Sequence, residues 1–408
     1  MASTGKRKQT EEDQSSYSQQ KKARTNEDQD GTDSGPSSAG TSKPESKEHT
    51  DLQTLLDFTA LESQDEISAR FDAISRALLH DYVLVVTRAD GTTTHLQVME
   101  HEFYLQKATC HEDPFAHGSE EQRVLGQWYF HRAPRYSADS NRSLTSSDAY
   151  RGGTRKGLDL TFGRPAGTKG EETLLRGGIL LRSIRVLGSK SKVVSGPSLL
   201  VDQILSFSGS SGIPDLVQTK WGGDISAFRE RTAGGTSLCV VSRSLLNMPA
   251  SSTKPPTIYT SPRIGLELSH PGTTSPKIKP LHSRIRFLTR KYRYFVSPHE
   301  LIANGRSQTF VGLLFHFTQN QNQKNKSNYA SMDEALGRQS MKLLGDVCRT
   351  MGLKEGTAKK YLADFRAGRE GGEEVLEGFV GPQGKGAAGS PASYLTMVGA
   401  VSVVVGEQ

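Results

Sequence analysis

The residues with the greatest chemical potential are concentrated in one segment, 95–118, which reads HLQVMEHEFYLQKATCHEDPFAHG. Its first half has the pattern of a β-strand, in which alternate side chains point to the same face. Glu100, Glu102 and Tyr104 therefore share one face. A carboxylate and an aromatic ring at one strand end could line a pocket, the first as a base and the second as a surface for stacking. The acidic, histidine-rich turn that follows would return to the same neighbourhood.

This constellation is open to three interpretations. In the first, His101, His111 and His117 hold a metal ion with the neighbouring acids, although their spacing matches no zinc pattern and the Pro-Cys-x-x-Cys motif of zinc deaminases is absent from the sequence. In the second, the segment is an ordinary polar strand end, whose acids pair with arginines and whose tyrosine packs in the core. In the third, a carboxylate activates water beside an aromatic side chain that stacks on a base, in a protein that binds an anionic polymer.

The charge balance favours an anionic partner. The chain has 408 residues, of which 51 are lysine or arginine and 44 are aspartate or glutamate. The first fifty residues contain eight basic and nine acidic residues, so the remainder carries 43 basic against 35 acidic ones. Such an excess is an argument about partners rather than about fold. It favours a phosphate-rich polymer; an anionic membrane surface, or a charge that serves only solubility, is the alternative.

The N-terminal segment, residues 1–51, is predicted to be a disordered tail. Its first fifty residues include one aromatic residue and no Val, Ile or Leu, too little apolar surface to offset the entropy of ordering. Two basic clusters, Lys6-Arg7-Lys8 and Lys21-Lys22-Ala23-Arg24, have the spacing of a bipartite nuclear-import signal, which predicts a nuclear protein. No apolar stretch of a secretory signal follows Met1, and three cysteines without CxxC spacing suit a reducing compartment.

Periodicity predicts the elements that position the candidate residues. Residues 66–80 have the apolar spacing of an amphipathic helix. The stretch YVLVVTRADGTTTHLQVME predicts a hairpin that turns at Asp90-Gly91 and whose second strand runs into the segment above. Further strands are predicted in GQWYFHR, LDLTFG, GGILLRSIRVLG, SLCVVSRSLL and IYTSPRIGLEL. SGPSLLVDQILSF predicts a helix, because proline is well tolerated in a first turn.

Other segments carry more specific expectations. The polar stretch from Ala133 to Gly157 is predicted to be an exposed loop, and ISAFRER a short helix. RIRFLTRKYRYFV is predicted to be a strand with Arg284, Arg286 and Arg290 on one basic face, which is either a phosphate-contacting surface or simply a solvated one. Residues 331–368 predict a helical hairpin. Residues 369–408 are glycine-rich with an apolar end that is too short to cross a bilayer, and their structure is left open.

Taken in order, these segments resemble the alkyladenine (3-methyladenine) DNA glycosylases over much of residues 66–300. The family motif Glu-x-Glu-Ala-Tyr is similar to EHEFY here, a histidine follows an acidic turn as in HEDPFAHG, and GGILLRSI resembles a strand whose arginine contacts DNA phosphate. SGPSLLVDQIL, SPRIGLE and RKYRYFV resemble three later elements. The resemblance implies one α+β domain, residues 52–330, with a curved, mostly antiparallel sheet flanked by helices.

The resemblance also implies a function and a role for each matching residue. Such enzymes extrude a damaged purine from duplex DNA into a pocket and cut its glycosidic bond. Glu102 would be the base that activates water. Tyr104 and His117 would stack on the extruded base, Asp159 would face it, and Arg182 would hold a neighbouring phosphate. We expect Arg151 and Lys156, in the basic loop, to contact phosphate too, and we expect no metal, no cofactor, no membrane and a monomer.

The departures from the family keep two alternatives open. An asparagine is expected where Asp159 stands, and the hairpin that wedges into DNA has no clear counterpart, although Tyr150 or Arg151 could substitute for it. These changes favour a nucleic-acid-binding protein that kept the fold and lost the chemistry. A hydrolase of nucleosides or nucleotides, which would use Glu102 without recognising a duplex, is the other alternative.

Overall fold

The structure is a computed structural model that describes the chain from Leu52 onward in eight ranges. These are residues 52–134, 146–167, 174–188, 191–229, 234–248, 255–301, 305–325 and 332–406. The N-terminal segment with its two basic clusters lies outside them, and so do residues 135–145 of the polar stretch from Ala133 to Gly157. The described residues combine helices with a mostly antiparallel sheet and end in helices, which confirms the predicted α+β class.

The strands form one large sheet and one small one. The described strands are β1 (Tyr82–Thr87), β2 (Thr93–Lys107), β3 (His111–Glu112), β4 (Trp128–Phe130), β5 (Arg132–Pro134), β6 (Ser146–Tyr150), β7 (Leu158–Phe162), β8 (Leu175–Val186), β9 (Lys192–Ser195), β10 (Ser237–Ser242), β11 (Tyr259–Ser261) and β12 (Arg293–Phe295). The large sheet has the order β10-β1-β2-β8-β7-β4, with β3, β9, β11 and β12 attached at its sides, and β5 pairs with β6.

Strand β2 is the longest of these strands, and it organises the sheet. Its first part pairs antiparallel with β1 across the predicted turn at Asp90-Gly91, which confirms the hairpin. Its second part pairs with β8 on one side and β12 on the other. A register shift interrupts the β2–β8 ladder around Glu100. The chemically interesting end of β2 therefore lies between two strands that are distant in sequence.

The helices cover this sheet and then form a layer of their own. They are α1 (Gln64–Arg76), α2 (Pro197–Phe207), α3 (Ser283–Leu288), α4 (Arg306–Asn325), α5 (Met332–Met351), α6 (Glu355–Glu377) and α7 (Pro391–Val404). Ser63 and Glu66 begin α1 with a reciprocal capping box. The buried face of α1 packs on the sheet, where Phe71 stacks on Phe103 of β2 with ring centroids 4.0 Å apart. As predicted, proline begins α2.

The C-terminal helices share a second apolar core. It is formed by side chains of α3 to α7 and their connections, among them Leu314, Val347, Phe365 and Leu395. Helix α7 is the segment whose structure the sequence left open. It is buried on nearly all sides, and it packs closely along α6. Among the described residues, no helix is both long and apolar enough to span a membrane.

Three predictions of local structure were wrong. The described part of ISAFRER, residues 225–229, is not helical: the amide of Trp128, at the start of β4, donates to the carbonyl of Ile225 at 2.7 Å. RIRFL forms α3 rather than a strand, because Ile285 and Leu288 are buried together one turn apart and His282 accepts the Arg284 amide. The predicted basic strand face is therefore not formed.

The third prediction, an exposed loop between Ala133 and Gly157, is wrong where strands form, although residues 152–155 are exposed as predicted. The described ends of this segment pair with each other as β5 and β6. Residues 135–145, which follow β5 and precede β6 in the sequence, lie outside the described residues. Tyr150 is half-buried, and the guanidinium of Arg132 lies 3.9 Å from its ring centroid. This tyrosine is therefore part of the packing of the hairpin.

Helices α6 and α7 approach each other so closely that Gly368 cannot carry a side chain without movement. A Cβ placed there would lie 2.0 Å from the carbonyl oxygen of Thr396. We expect Gly368→Ala to lower the free energy of unfolding by about 1–3 kcal/mol, the usual cost of overpacking, in denaturant titrations. Gly345→Ala is the control, because Gly345 lies in α5 with nothing near its Cβ position and should gain up to about 1 kcal/mol. Equal stability of the two variants would contradict the close packing.

Candidate functional site

The end of β2 carries two buried glutamates that are held by one arginine of β8. Arg182 donates from Nε to Glu100 Oε1 and from Nη1 to Glu102 Oε2, each at 3.2 Å. All three side chains are buried. The sequence prediction that the two glutamates share a face is confirmed, because a single guanidinium contacts both.

Glu100 is neutralised from two sides. Arg293 of β12 donates from Nε to Glu100 Oε1 at 2.6 Å and from Nη1 to the hydroxyls of Ser261 and Thr309, each at 3.0 Å. Burial alone would raise the pKa of Glu100, but the charges of Arg293 and Arg182 outweigh it, so this pKa lies below its ordinary value. Glu100 of β2 therefore connects this strand to β8 and β12 through ion pairs.

Glu102 is completely buried, and both of its oxygens have partners. Oε1 accepts the backbone N–H of Ile264 at 2.8 Å, and Oε2 accepts the Tyr104 hydroxyl at 2.8 Å as well as Arg182. Burial, and next the charge of Glu102, raise the pKa of Tyr104 well above its ordinary value. The hydroxyl of Tyr104 thus keeps its proton and donates a hydrogen bond to the carboxylate.

The ring of Tyr104 is fixed by a second buried ion pair. The guanidinium of Arg263 lies 4.5 Å from the Tyr104 ring centroid, and its Nη1 donates to the Phe103 carbonyl at 3.0 Å. The same group makes a two-pronged ion pair with Asp113, with Nη2 to Oδ1 at 3.1 Å. Asp113 belongs to the HEDPFAHG turn, so this pair also fixes the path of the chain toward His117.

Beyond Tyr104 a cavity of about 450 Å³ opens to solvent. This volume lies within the roughly 300–1,000 Å³ range of small-ligand sites. Its aromatic lining consists of Tyr104, Phe115, His117, Tyr129 and His131, and its other polar lining includes Gln122, Asp159, Arg132, Arg151 and Arg284. Such a lining suits a flat, polar ring that carries an anionic group.

The buried end of the cavity holds the Asp159 carboxylate of β7, which is 2% exposed. His131 Nε2 lies 2.8 Å from Asp159 Oδ1, and Gln122 Nε2 donates to Oδ2 at 3.0 Å. Strand pairing places Asp159 opposite Tyr129. The carboxylate has room because residue 178 is glycine, where a Cβ would lie 2.5 Å from Oδ2.

His117 lies against this carboxylate system. Its ring meets that of His131 edge to face, with centroids 4.5 Å apart. Burial, then the neighbouring His131 and Arg151, lower the pKa of His117 to about 3 although Asp159 opposes them. His117 is consequently uncharged at neutral pH, where it offers a flat ring and one acceptor nitrogen.

The cationic side chains of the cavity are held by local contacts. Arg132 forms an ion pair with Glu121 at 2.8 Å, and Arg151 donates from Nε to the Arg132 carbonyl at 2.8 Å. Arg284 lies over the ring of Phe115 at 4.8 Å. Three guanidinium groups therefore face the same opening, from β5, the segment after β6, and α3.

Of the site residues predicted from sequence, Tyr104, His117, Asp159 and Arg151 line the cavity. Glu102 lies behind Tyr104 rather than in the lining. Two others lie elsewhere. Arg182 is 6% exposed and occupied by the two glutamates, so it does not present its charge to a phosphate at the surface. Lys156 forms an ion pair with Asp202 of α2 away from the cavity lining.

Several lining residues were not anticipated. Gln122, Tyr129 and His131 had no assigned role, and neither had Arg263, which packs against Tyr104 behind the lining. Arg284 was expected on a basic strand face and instead lines the cavity from α3. The one available signal was at His131, which directly follows the apolar strand of GQWYFHR. The metal site considered from His101, His111 and His117 is not assembled: His101 packs edge-on to Phe103, and His111 bonds to Leu105 and Tyr292.

The Arg182 side chain is predicted to be essential for stability. Arg182→Met would leave Glu102 buried without its counter-charge, which typically costs about 3–5 kcal/mol of unfolding free energy. Lys156→Met, which removes a more exposed ion pair, should cost about 1 kcal/mol or less. Denaturant titrations of the two variants give the comparison. Similar losses in both would mean that the buried network does not support the fold.

The comparisons with known proteins leave the site to be judged by its own geometry. Neither a scan against protein-family models nor a search of curated proteins found a match to this chain. The resemblance to alkyladenine DNA glycosylases therefore depends on the order of short motifs alone. The cavity and the carboxylate behind it are the features that bear on function.

Proposed function

We propose that this protein is a DNA glycosylase that takes one extruded, modified purine into the cavity and hydrolyses its N-glycosidic bond. The observation that carries the proposal is the adjacency of Glu102 to Tyr104, which joins a carboxylate to a cavity lined by aromatic rings. The resemblance to the glycosylase family supports the same assignment. The glycosylase-like fold is part of this proposal, as is a nuclear location.

The cavity offers what an extruded base requires. A base that leaves the duplex loses its stacking, and the enzyme has to replace this with aromatic contacts and with hydrogen bonds to the edge of the base. Tyr104, Tyr129 and the uncharged His117 supply rings. Asp159 and Gln122 supply acceptors and donors at the buried end. Poorly paired, damaged bases cost less to extrude, which gives a first level of selectivity.

The chemical step belongs to Glu102. Glycosidic cleavage proceeds through an oxocarbenium-like state, which a nearby carboxylate stabilises, while the same carboxylate takes a proton from the attacking water. In the structure the Tyr104 hydroxyl donates a hydrogen bond to Glu102 Oε2. Water reaches this oxygen when the tyrosine hydroxyl gives up its bond, so Tyr104 both contacts the base and controls access to the carboxylate. Arg182 and the Ile264 amide keep the carboxylate in place.

The charge of the chain suits a duplex partner. The excess of basic residues after the first fifty favours binding to a phosphate backbone. Arg151 and Arg284 at the cavity could donate hydrogen bonds to the phosphates that flank an extruded nucleotide. This reassigns to the cavity arginines the phosphate contact first expected from Arg182.

A second candidate is a reader of extruded bases that performs no chemistry. The specific observation in its favour is that Glu102 is completely buried and both of its oxygens are already bonded. Such a protein would use the same cavity and the same cationic groups. It would bind duplexes that carry a lesion in a salt-dependent manner and release nothing.

Base release by Glu102→Gln distinguishes these functions. Labelled duplexes with hypoxanthine, ethenoadenine or no lesion are incubated with protein, and alkali then cuts any abasic site. Wild type should release the modified base, and Glu102→Gln should be slower by about 10²–10⁴-fold, the usual contribution of a general base. Glu112→Gln is the control, because Glu112 is an exposed carboxylate on the adjacent β3.

The remaining outcomes assign the rivals. Binding without release by wild type would establish the non-catalytic reader. Neither binding nor release would turn attention to free nucleosides or nucleotides as substrates. Equal release by wild type and Glu102→Gln would remove Glu102 from the mechanism.

A further inference from the structure

A cluster of three potential metal ligands lies in the cavity, and base excision does not require it. The nitrogens and carboxylate oxygen of His117, His131 and Asp159 all lie within 4.8 Å of one another. The side chains come from three segments: the turn after β3, the residue after β4, and β7. We propose that they form a binding site for a divalent transition-metal ion of the Zn²⁺ class.

The ligand set has the composition that such an ion prefers. Two imidazoles and one carboxylate are zinc ligands, with bonds of about 2.0–2.2 Å, so the donor atoms of a tetrahedral ion lie roughly 3.3–3.6 Å apart. The separation of His131 Nε2 and Asp159 Oδ1 is 2.8 Å, and no pair of donors exceeds 4.8 Å. Shifts of about 1 Å or less convert this arrangement into a coordination site. Three protein ligands leave a fourth position open toward the cavity, as in catalytic zinc sites.

The surroundings provide the outer support that metal sites normally have. Gln122 donates from Nε2 to Asp159 Oδ2 at 3.0 Å, which orients the ligand carboxylate. The side-chain oxygen of the same residue is a further indication of a ligand. Gln122 is 1% exposed, and its Oε1 has no hydrogen-bond partner among the described residues, although it lines the cavity. A water bound to the metal would donate to this oxygen.

The neighbouring charges determine what the fourth position takes. Arg132, Arg151 and Arg284 face the same cavity and oppose a bare cation, while Asp159 offsets one of its two charges. The cavity as a whole therefore favours an anion, such as hydroxide or a phosphate oxygen, on the open position of the ion. Zinc binding itself does not depend on the proposed glycosylase activity, but the ion and an extruded base would occupy overlapping space.

Zinc titration without DNA tests the site independently of base release. Chelator-treated full-length protein is titrated with zinc chloride near pH 7 in a calorimeter. We expect one ion per chain, with an affinity at least tenfold weaker in His117→Gln, His131→Gln and Asp159→Asn. His299→Gln, which removes a surface histidine 60% exposed, should bind as wild type does. Circular dichroism checks that each variant is folded.

Two results would overturn the inference. No zinc binding by wild type is one, and zinc binding of equal strength in all three ligand variants is the other. If the variants of the buried groups fail to fold, His117→Gln decides, because His117 is only half-buried. A protein that binds zinc but releases no base would retain this inference while losing the proposed function.

Discussion

The structure depends on the neutralisation of two carboxylates that share one face of a buried strand. Glu100 and Glu102 lie two residues apart on β2, and an unpaired charge in such a place would be prohibitive. Arg182 forms an ion pair with each of them, and Arg293 forms a second ion pair with Glu100. Because these arginines come from β8 and β12, the charges hold β2 in register with a strand on each side. The site and the sheet are therefore stabilised by the same contacts.

This constraint extends outward to the cavity. Glu102 accepts the Tyr104 hydroxyl, and the ring of Tyr104 packs against Arg263, whose partner Asp113 fixes the turn before His117. These links are a charge-assisted hydrogen bond, a cation–π contact and an ion pair among largely buried groups, where such interactions are stronger than at the surface. The aromatic walls of the cavity are consequently set by the buried network rather than by loop packing. Walls that are fixed in this way would need only small side-chain movements when a ligand binds, which lowers the cost of binding.

The sequence predicted the elements whose signals are local. The β1–β2 hairpin has an Asp-Gly turn between apolar runs, α2 begins with a proline, and the alternation along β2 was enough to put both glutamates and Tyr104 on one face. Contacts between distant segments were a different matter. No local pattern near Asp159 predicts its contacts with His131 and Gln122, and none near Tyr104 predicts its contact with Arg263. Arg182 was placed on the correct strand, but its burial follows from partners on β2 that no local pattern reveals.

The errors have equally physical origins. The run RIRFL satisfies both periods, because its apolar residues fit an alternating strand and also one turn of helix, and tertiary packing chose the helix. ISAFRER was predicted to be a short helix, but the backbone of its described residues, 225–229, bonds to β4 instead. Helix α7 is enclosed on nearly all sides and therefore has no polar face. Its sequence lacks the amphipathic pattern from which a helix could have been predicted.

A crystal structure of the Glu102→Gln protein with a duplex that contains one ethenoadenine would show directly whether the cavity takes up an extruded base. This substitution keeps the shape of the carboxylate while slowing release. We expect the modified base to leave the helix and to lie in the cavity between Tyr104 and His117, with its sugar C1′ facing residue 102. A base that stays stacked in the duplex, or that binds outside the cavity, would contradict this expectation.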